Sequence, residues 1–179
     1  MQKHIFTSYF YNIRFFKPYQ VPISTAMWDP RWYFNFKKQG HLFLDKRGVL
    51  NGLRAETLHP DHTCDNLCRG PEFCETKDPS TCRFLDAYRK QLDHIDKPKF
   101  FERLESLRLK LQAKLHLDKL PDLIFIVHEP PYKTCSERSC LQAFLGCTEL
   151  VINKSKKASR QDKEVLDIVQ PSNLFTIKD

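Results

Sequence analysis

Four of the seven cysteines, Cys64, Cys68, Cys74 and Cys82, fall in one turn-rich stretch, Thr63 to Arg83, that reads TCDNLCRGPEFCETKDPSTCR. The stretch has too few apolar residues to order itself, and four thiolates closing on one Zn²⁺ would order it. The spacing, C-x3-C-x5-C-x7-C, is looser than the paired cysteines of common zinc folds, yet such loops are short enough for all four sulfurs to meet. A site of four cysteines has no open position for water, so the expected zinc is structural. An iron–sulfur cluster takes the same ligand set, and His59 or His62, just upstream, is an alternative ligand in place of one cysteine.

A second group comprises His128, Glu129, Cys135 and Arg138, which follow the apolar run Leu123 to Val127 (LIFIV). In an open α/β sheet, ligands bind beyond the carboxyl ends of the strands. Thr134, with Glu137 three residues later, spells a capping box and predicts a helix that begins at Cys135. A cysteine in the first turn sees free N–H groups and the positive helix pole, which lower a thiol pKa and attract anions. Arg138 would add charge one turn further in. The expected catalytic set is Glu129, Cys135 and Arg138, with Thr7, Ser8 and His128 as binding residues around the anion. Glu137 is expected only as a cap, and Cys140 and Cys147 as small buried side chains. The interval from Cys135 to Arg138, C-x2-R, differs from the C-x5-R of cysteine phosphatases.

The elements that must position these residues are legible in the pattern. Ile5 to Tyr9 and Gln20 to Thr25 read as short strands, rich in β-branched and aromatic residues. Met27 to Phe36 (MWDPRWYFNF) is dense in rings, is broken by Pro30, and reads as a loop packed by those rings. Leu42 to Arg54 contains two turn signals, Asp45 to Gly48 and the stronger Asn51-Gly52. Phe84, Leu85, Tyr88, Leu92 and Ile95 share one helical face. Asp96 caps a second helix, with Pro98 in its first turn and a stripe of Phe and Leu to about Leu115. LIFIV is the best candidate for a central parallel strand. A helix to Leu145, ended by Gly146, and a strand from Thr148 to Asn153 complete a crossover unit.

The fold class expected is therefore α/β: a single three-layer domain over 1–153 with a mainly parallel sheet, helices on both faces, and 54–83 as an inserted cysteine-rich metal-binding loop. Residues 154–179 read as a polar tail. A chain of 179 residues with fourteen Phe can bury a real core. Its 29 Lys and Arg against 22 Asp and Glu leave a net charge of +7, which favours an anionic partner, a nucleotide or nucleic acid. No apolar run reaches the length of a spanning helix. The amino-terminal residues MQKHIFTSYFYNIRFF lack the features of a signal peptide. A cytoplasmic location without membrane contact is expected, where clustered cysteines are more often metal ligands than disulfides.

The motifs TSYF (7–10), PIS (22–24) and WY (32–33), with FLDAYRKQLDHID (84–96) and IFIVHEPPYKTCSERSCLQAFL (124–145), resemble the domain-of-unknown-function family numbered four-eighty-eight. That family has a strand ending in Cys-x-Glu, a short loop, and Cys-His-Arg opening a helix. By position the resemblance implies that Glu129 matches the family Glu, Cys135 its second Cys and Arg138 its Arg, with one residue inserted between the last two. Val127 stands where the family has its first Cys, and Ser136-Glu137 replaces the family His. The resemblance implies an α/β fold and no defined reaction.

Two functions follow from these residues. One is a zinc-binding enzyme acting on a nucleotide or nucleic acid, with Cys135 or Glu129 reactive. The other is a non-catalytic, zinc-stabilised nucleic-acid-binding or interaction module, which would hold nucleic acid through its basic surface, the rings of Trp28, Trp32, Tyr33 and Phe36, and the polar tail.

Overall fold

The computed structural model describes residues 3–33, 42–67, 78–130 and 135–152 and the backbone of 166–167. Cys68, Cys74, Phe36 and Thr134 lie outside the described residues. Four parallel strands form the main sheet: β1 (Ile5–Tyr9), β2 (Gln20–Ser24), β5 (Asp122–Val127) and β6 (Thr148–Glu149), in the order β2-β5-β1-β6. The run LIFIV takes a central place because all five of its side chains are apolar, and each is 0% exposed. The fold class read from the sequence is present as a mainly parallel α/β sheet.

One face of the sheet carries Ile5, Val21, Ile23, Leu123, Phe125 and Val127. The helices α2 (Arg83–Asp93), α3 (Lys97–Lys114) and α4 (Arg138–Leu145) pack there. The short helical turn α1 (His62–Asp65) joins them through Cys64. Asp96 caps α3 by accepting from the Lys99 amide at 3.1 Å. Phe100, Leu104, Leu107 and Leu111 recur on its buried side. Gly146, at φ 64°, ends α4 in the left-handed region, where a glycine carries no Cβ penalty.

The opposite face has no α-helix among the described residues. Ile124 and Ile126 are covered by the 3-10 segment Phe10–Phe15, by Phe16, Ala26 and Tyr33, and by Val49. The expectation of α-helices on both faces is corrected here. The connection from β1 to β2 is too short, and too rich in aromatics, to build more than 3-10 turns. Val49 belongs to the small hairpin of β3 (Phe43–Leu44) and β4 (Leu50–Asn51), and β7 (Leu166–Asp167) pairs with β3. The hairpin turns at Asp45–Gly48, where Asp45 Oδ1 accepts from the amides of Arg47 and Val49. The stronger signal Asn51-Gly52 is not the turn: Asn51 is buried in β4 and its side chain donates to Val49 O.

These connections set the site. The chain leaves β1 toward the 3-10 face and leaves β5 toward the helical face. In open α/β sheets, the carboxyl ends of adjacent strands with exits on opposite faces are where ligands bind. No helix among the described residues is long and apolar enough to cross a membrane.

Candidate functional site: the carboxyl end of β5

Glu129 leaves β5 at its carboxyl end, and α4 returns at Arg138. Cys135 sits in a turn before the helix and is half-buried. The helix therefore begins three residues later than the capping-box pattern predicts, and Cys135 lies outside its first turn. The reason is Glu137. Its side chain makes no capping bond and is buried, hydrogen-bonded to Glu129. Burial above all, then the negative charge of Glu129, push its carboxyl up to about 8. Ser136 Oγ donates to Glu129 Oε2 at 3.4 Å and accepts from the Arg138 amide at 3.3 Å. Two carboxyl groups thus meet inside the elbow, and burial favours the protonated form of Glu137.

Arg138 is buried, and its guanidinium is already engaged. It donates to the backbone carbonyl of Glu129 and pairs with Glu149 at 3.0 Å through Nε. Thr7 Oγ1 donates to the same Glu149 oxygen at 2.8 Å and accepts from Gln142 Nε2 at 2.7 Å. Burial raises the Glu149 carboxyl, and Arg138 and Thr7 oppose that shift. The guanidinium is taken up by the Glu149 carboxylate and the Glu129 carbonyl, so Arg138 acts as a positioning residue more than as an anion receptor. Thr7 belongs to this network. Ser8 stands at its margin, because successive strand residues point to opposite faces. Its Oγ accepts from Asn12 Nδ2 at 3.0 Å on the 3-10 side, and the hydroxyl also helps to hold down the Glu149 carboxyl.

His128 also turns to the 3-10 side. It is exposed, with its ring edge-on to Phe10 at 6.3 Å. Beyond it, Ser24 Oγ donates to Asp29, Asp29 pairs with Arg54 at 3.1 Å, and Arg54 Nη2 lies 3.3 Å from His59 Nδ1. Burial pushes the Asp29 carboxyl up, while burial and then Arg54 push His59 down to about 4. This chain of contacts ties the loop after β2 to the segment before α1.

Cys64 is buried on α1, and Asp61 caps that turn by accepting from its amide at 2.9 Å. Its thiol, pushed up to about 11 by burial and then by Asp61, donates to Gln91 Oε1 at 3.6 Å. Cys82 is the N-cap of α2, so Gln91 stands about 13 Å further along the helix axis at 1.5 Å per residue. His59 is engaged with Arg54, and His62 is exposed. Among the described residues, no group of three or more His, Cys, Asp or Glu is placed to hold a metal ion.

The sequence pattern named Glu129, Cys135 and Arg138, which the fold sets at this elbow, but not Glu149, Gln142 or the burial of Glu137. Gln142 lies four residues after Arg138, one helical turn along the same face, and could have been found. Glu149 could not, because only the pairing of β6 with β1 sets it opposite Thr7. Comparison of the chain with protein-family models, with curated proteins and with solved structures finds no match.

Proposed function

We propose that the protein is an enzyme whose proton-transfer step is carried by Glu137 and Glu129, acting on a nucleotide or nucleic acid at the carboxyl end of its parallel sheet. One observation carries the reading: a buried carboxyl raised to about 8 stands in hydrogen-bond contact with a second carboxyl at a strand-to-helix elbow. Pairs of acids with separated proton affinities are how one site supplies both a general acid and a general base near neutral pH. Glu137 would give its proton to a leaving group, and Glu129, steadied by Ser136 and by Arg138 at its carbonyl, would accept one. The net charge of +7 supports an anionic substrate. Cys135 takes the role of a contact residue at the rim, since it precedes the helical turn that would activate it.

The test is turnover. Purified protein incubated with nucleotides and short oligonucleotides, read by mass spectrometry, should yield product, and Glu137→Gln should lower the rate by two to four orders of magnitude, about the range for a lost general acid. Turnover that survives Glu137→Gln overturns the assignment, and so does the absence of product across the set.

The four-cysteine zinc belongs to the same proposal as a structural element. Binding there requires Cys64 to exchange Gln91 for the metal and to lose its proton, and Cys82, at the far end of α2 from Gln91, to draw in to it. Elemental analysis should give one zinc per chain, lowered by Ser at Cys64 or Cys82. A metal-free protein with undiminished melting temperature removes zinc from the account, and iron in its place makes the group a cluster.

A further inference from the structure

Both tryptophans of the chain are exposed, Trp28 at 78% in the loop that follows β2 and Trp32 at 39% against Phe10 on the 3-10 face. Tyr11, on the same side, is 48% exposed. Exposed aromatic rings with a polar edge are the side chains on which flat ligands stack. Their arrangement favours flat ligands. Tyr9 and Tyr11 stack with an interplanar angle of 13°, and the Arg14 guanidinium lies 3.6 Å from the centre of the Tyr11 ring. The layered planes thus end in a charged one. Trp32 is braced edge-on by Phe10 and Tyr33, at 6.1 Å from each, which fixes its ring in place. Tyr33 is itself anchored, its hydroxyl donating to Pro22 O and Leu53 O. The exposed cations Arg14, Lys17 and Arg31 lie within a few residues of these rings.

Exposed, braced rings interleaved with arginine and lysine fit successive unpaired bases and the phosphates between them. A duplex hides its base faces and would meet only the cations. We propose that this surface binds single-stranded nucleic acid, with bases stacked on Trp28 and Trp32 and phosphates on Arg14 and Arg31. The proposal does not depend on the Glu129–Glu137 chemistry, which lies on the other face of the sheet.

The probe is a twelve-nucleotide oligothymidylate, followed by tryptophan fluorescence, with a duplex of equal length and heparin as controls. The oligomer should quench the emission and bind more tightly than the duplex. Trp28→Ala and Trp32→Ala should each weaken binding by about tenfold, the usual loss for one stacked base. Arg14→Glu with Arg31→Glu should flatten the salt dependence by about 0.7 in log–log slope for each phosphate no longer neutralised. Trp32 packs on Phe10 and Tyr33, so its replacement can disturb the fold, whereas Trp28, at 78% exposed, belongs to neither buried cluster among the described residues. If Trp28→Ala leaves the affinity unchanged, or if heparin and duplex bind as well as the single strand, the surface is only a general polyanion contact and the proposal fails. Trp28→Ala, which does not touch the glutamate pair, should leave turnover of a mononucleotide as in the parent while oligomer binding falls, which separates this result from that of the turnover experiment.

Discussion

Replacing Arg138 with methionine is expected to lower the stability of the protein by about 3 kcal/mol, because it leaves a largely buried carboxylate without its partner. The guanidinium is 8% exposed, holds Glu149 at 3.0 Å and also donates to the Glu129 carbonyl. Its removal strands both acceptors and leaves Thr7 as the main remaining donor to Glu149, with Gln142 behind it. In a chain of this length such a loss lowers the melting temperature by roughly 6 to 12 °C. Adding Glu149→Gln to the methionine variant should recover much of the loss, since a neutral amide is far less costly to bury than an unpaired charge. Thermal unfolding of the two variants decides the matter. A methionine variant as stable as the parent would mean that solvent reaches the pair and that Arg138 positions nothing.

Glutamine at position 137 is expected to act in the opposite direction. The Glu137 carboxyl lies at about 8 in the folded chain against an ordinary 4.5. Between those values the folded state keeps a proton that the unfolded state has released. Stability from this group is therefore complete below about pH 4.5 and declines as pH rises toward 8, by at most about 1.4 kcal/mol per pH unit. Glutamine does not titrate, so Glu137→Gln should be the more stable protein at pH 8, and the difference should shrink toward pH 5. Melting temperatures of the two proteins across that range give the difference curve, which also removes the contributions of Asp29, Glu149 and His59. Parallel curves would place Glu137 in water. A substitution that stabilises the fold while removing turnover marks a residue kept for chemistry at a cost to stability.

Much of the fold was legible because burial leaves a periodic trace. LIFIV is apolar at every position because both faces of β5 are covered. The stripes of α2 and α3 repeat at three and four residues because one side of each is buried in the core on the helical side of the sheet. The site was legible only in part. Thr7 and Ser8 are adjacent in sequence, yet Thr7 bonds to Gln142 on the helical side and Ser8 to Asn12 on the 3-10 side. The pairing that brings Glu149 to Thr7 joins residues 142 positions apart and depends on strand order. The late start of α4 was hidden because Glu137 satisfies the letter of a capping box while its carboxyl is used by Glu129. The ring-rich stretch after β2 was expected to be packed by its rings. Tyr33 is fully buried there, but both tryptophans are exposed, because the apolar face beneath has room for only part of the stretch.

The central claim is that Glu137 holds a proton through neutrality because it is buried against Glu129. The most direct measurement is a carbon-13 NMR titration of the glutamate side-chain carboxyls, with the Glu137 resonance assigned by its loss in Glu137→Gln. The account predicts a midpoint near 8 for Glu137 in the parent protein and a lower midpoint in Glu129→Gln, where the neighbouring charge is gone. A midpoint near 4.5 that is indifferent to position 129 would contradict it and leave the elbow a structural turn.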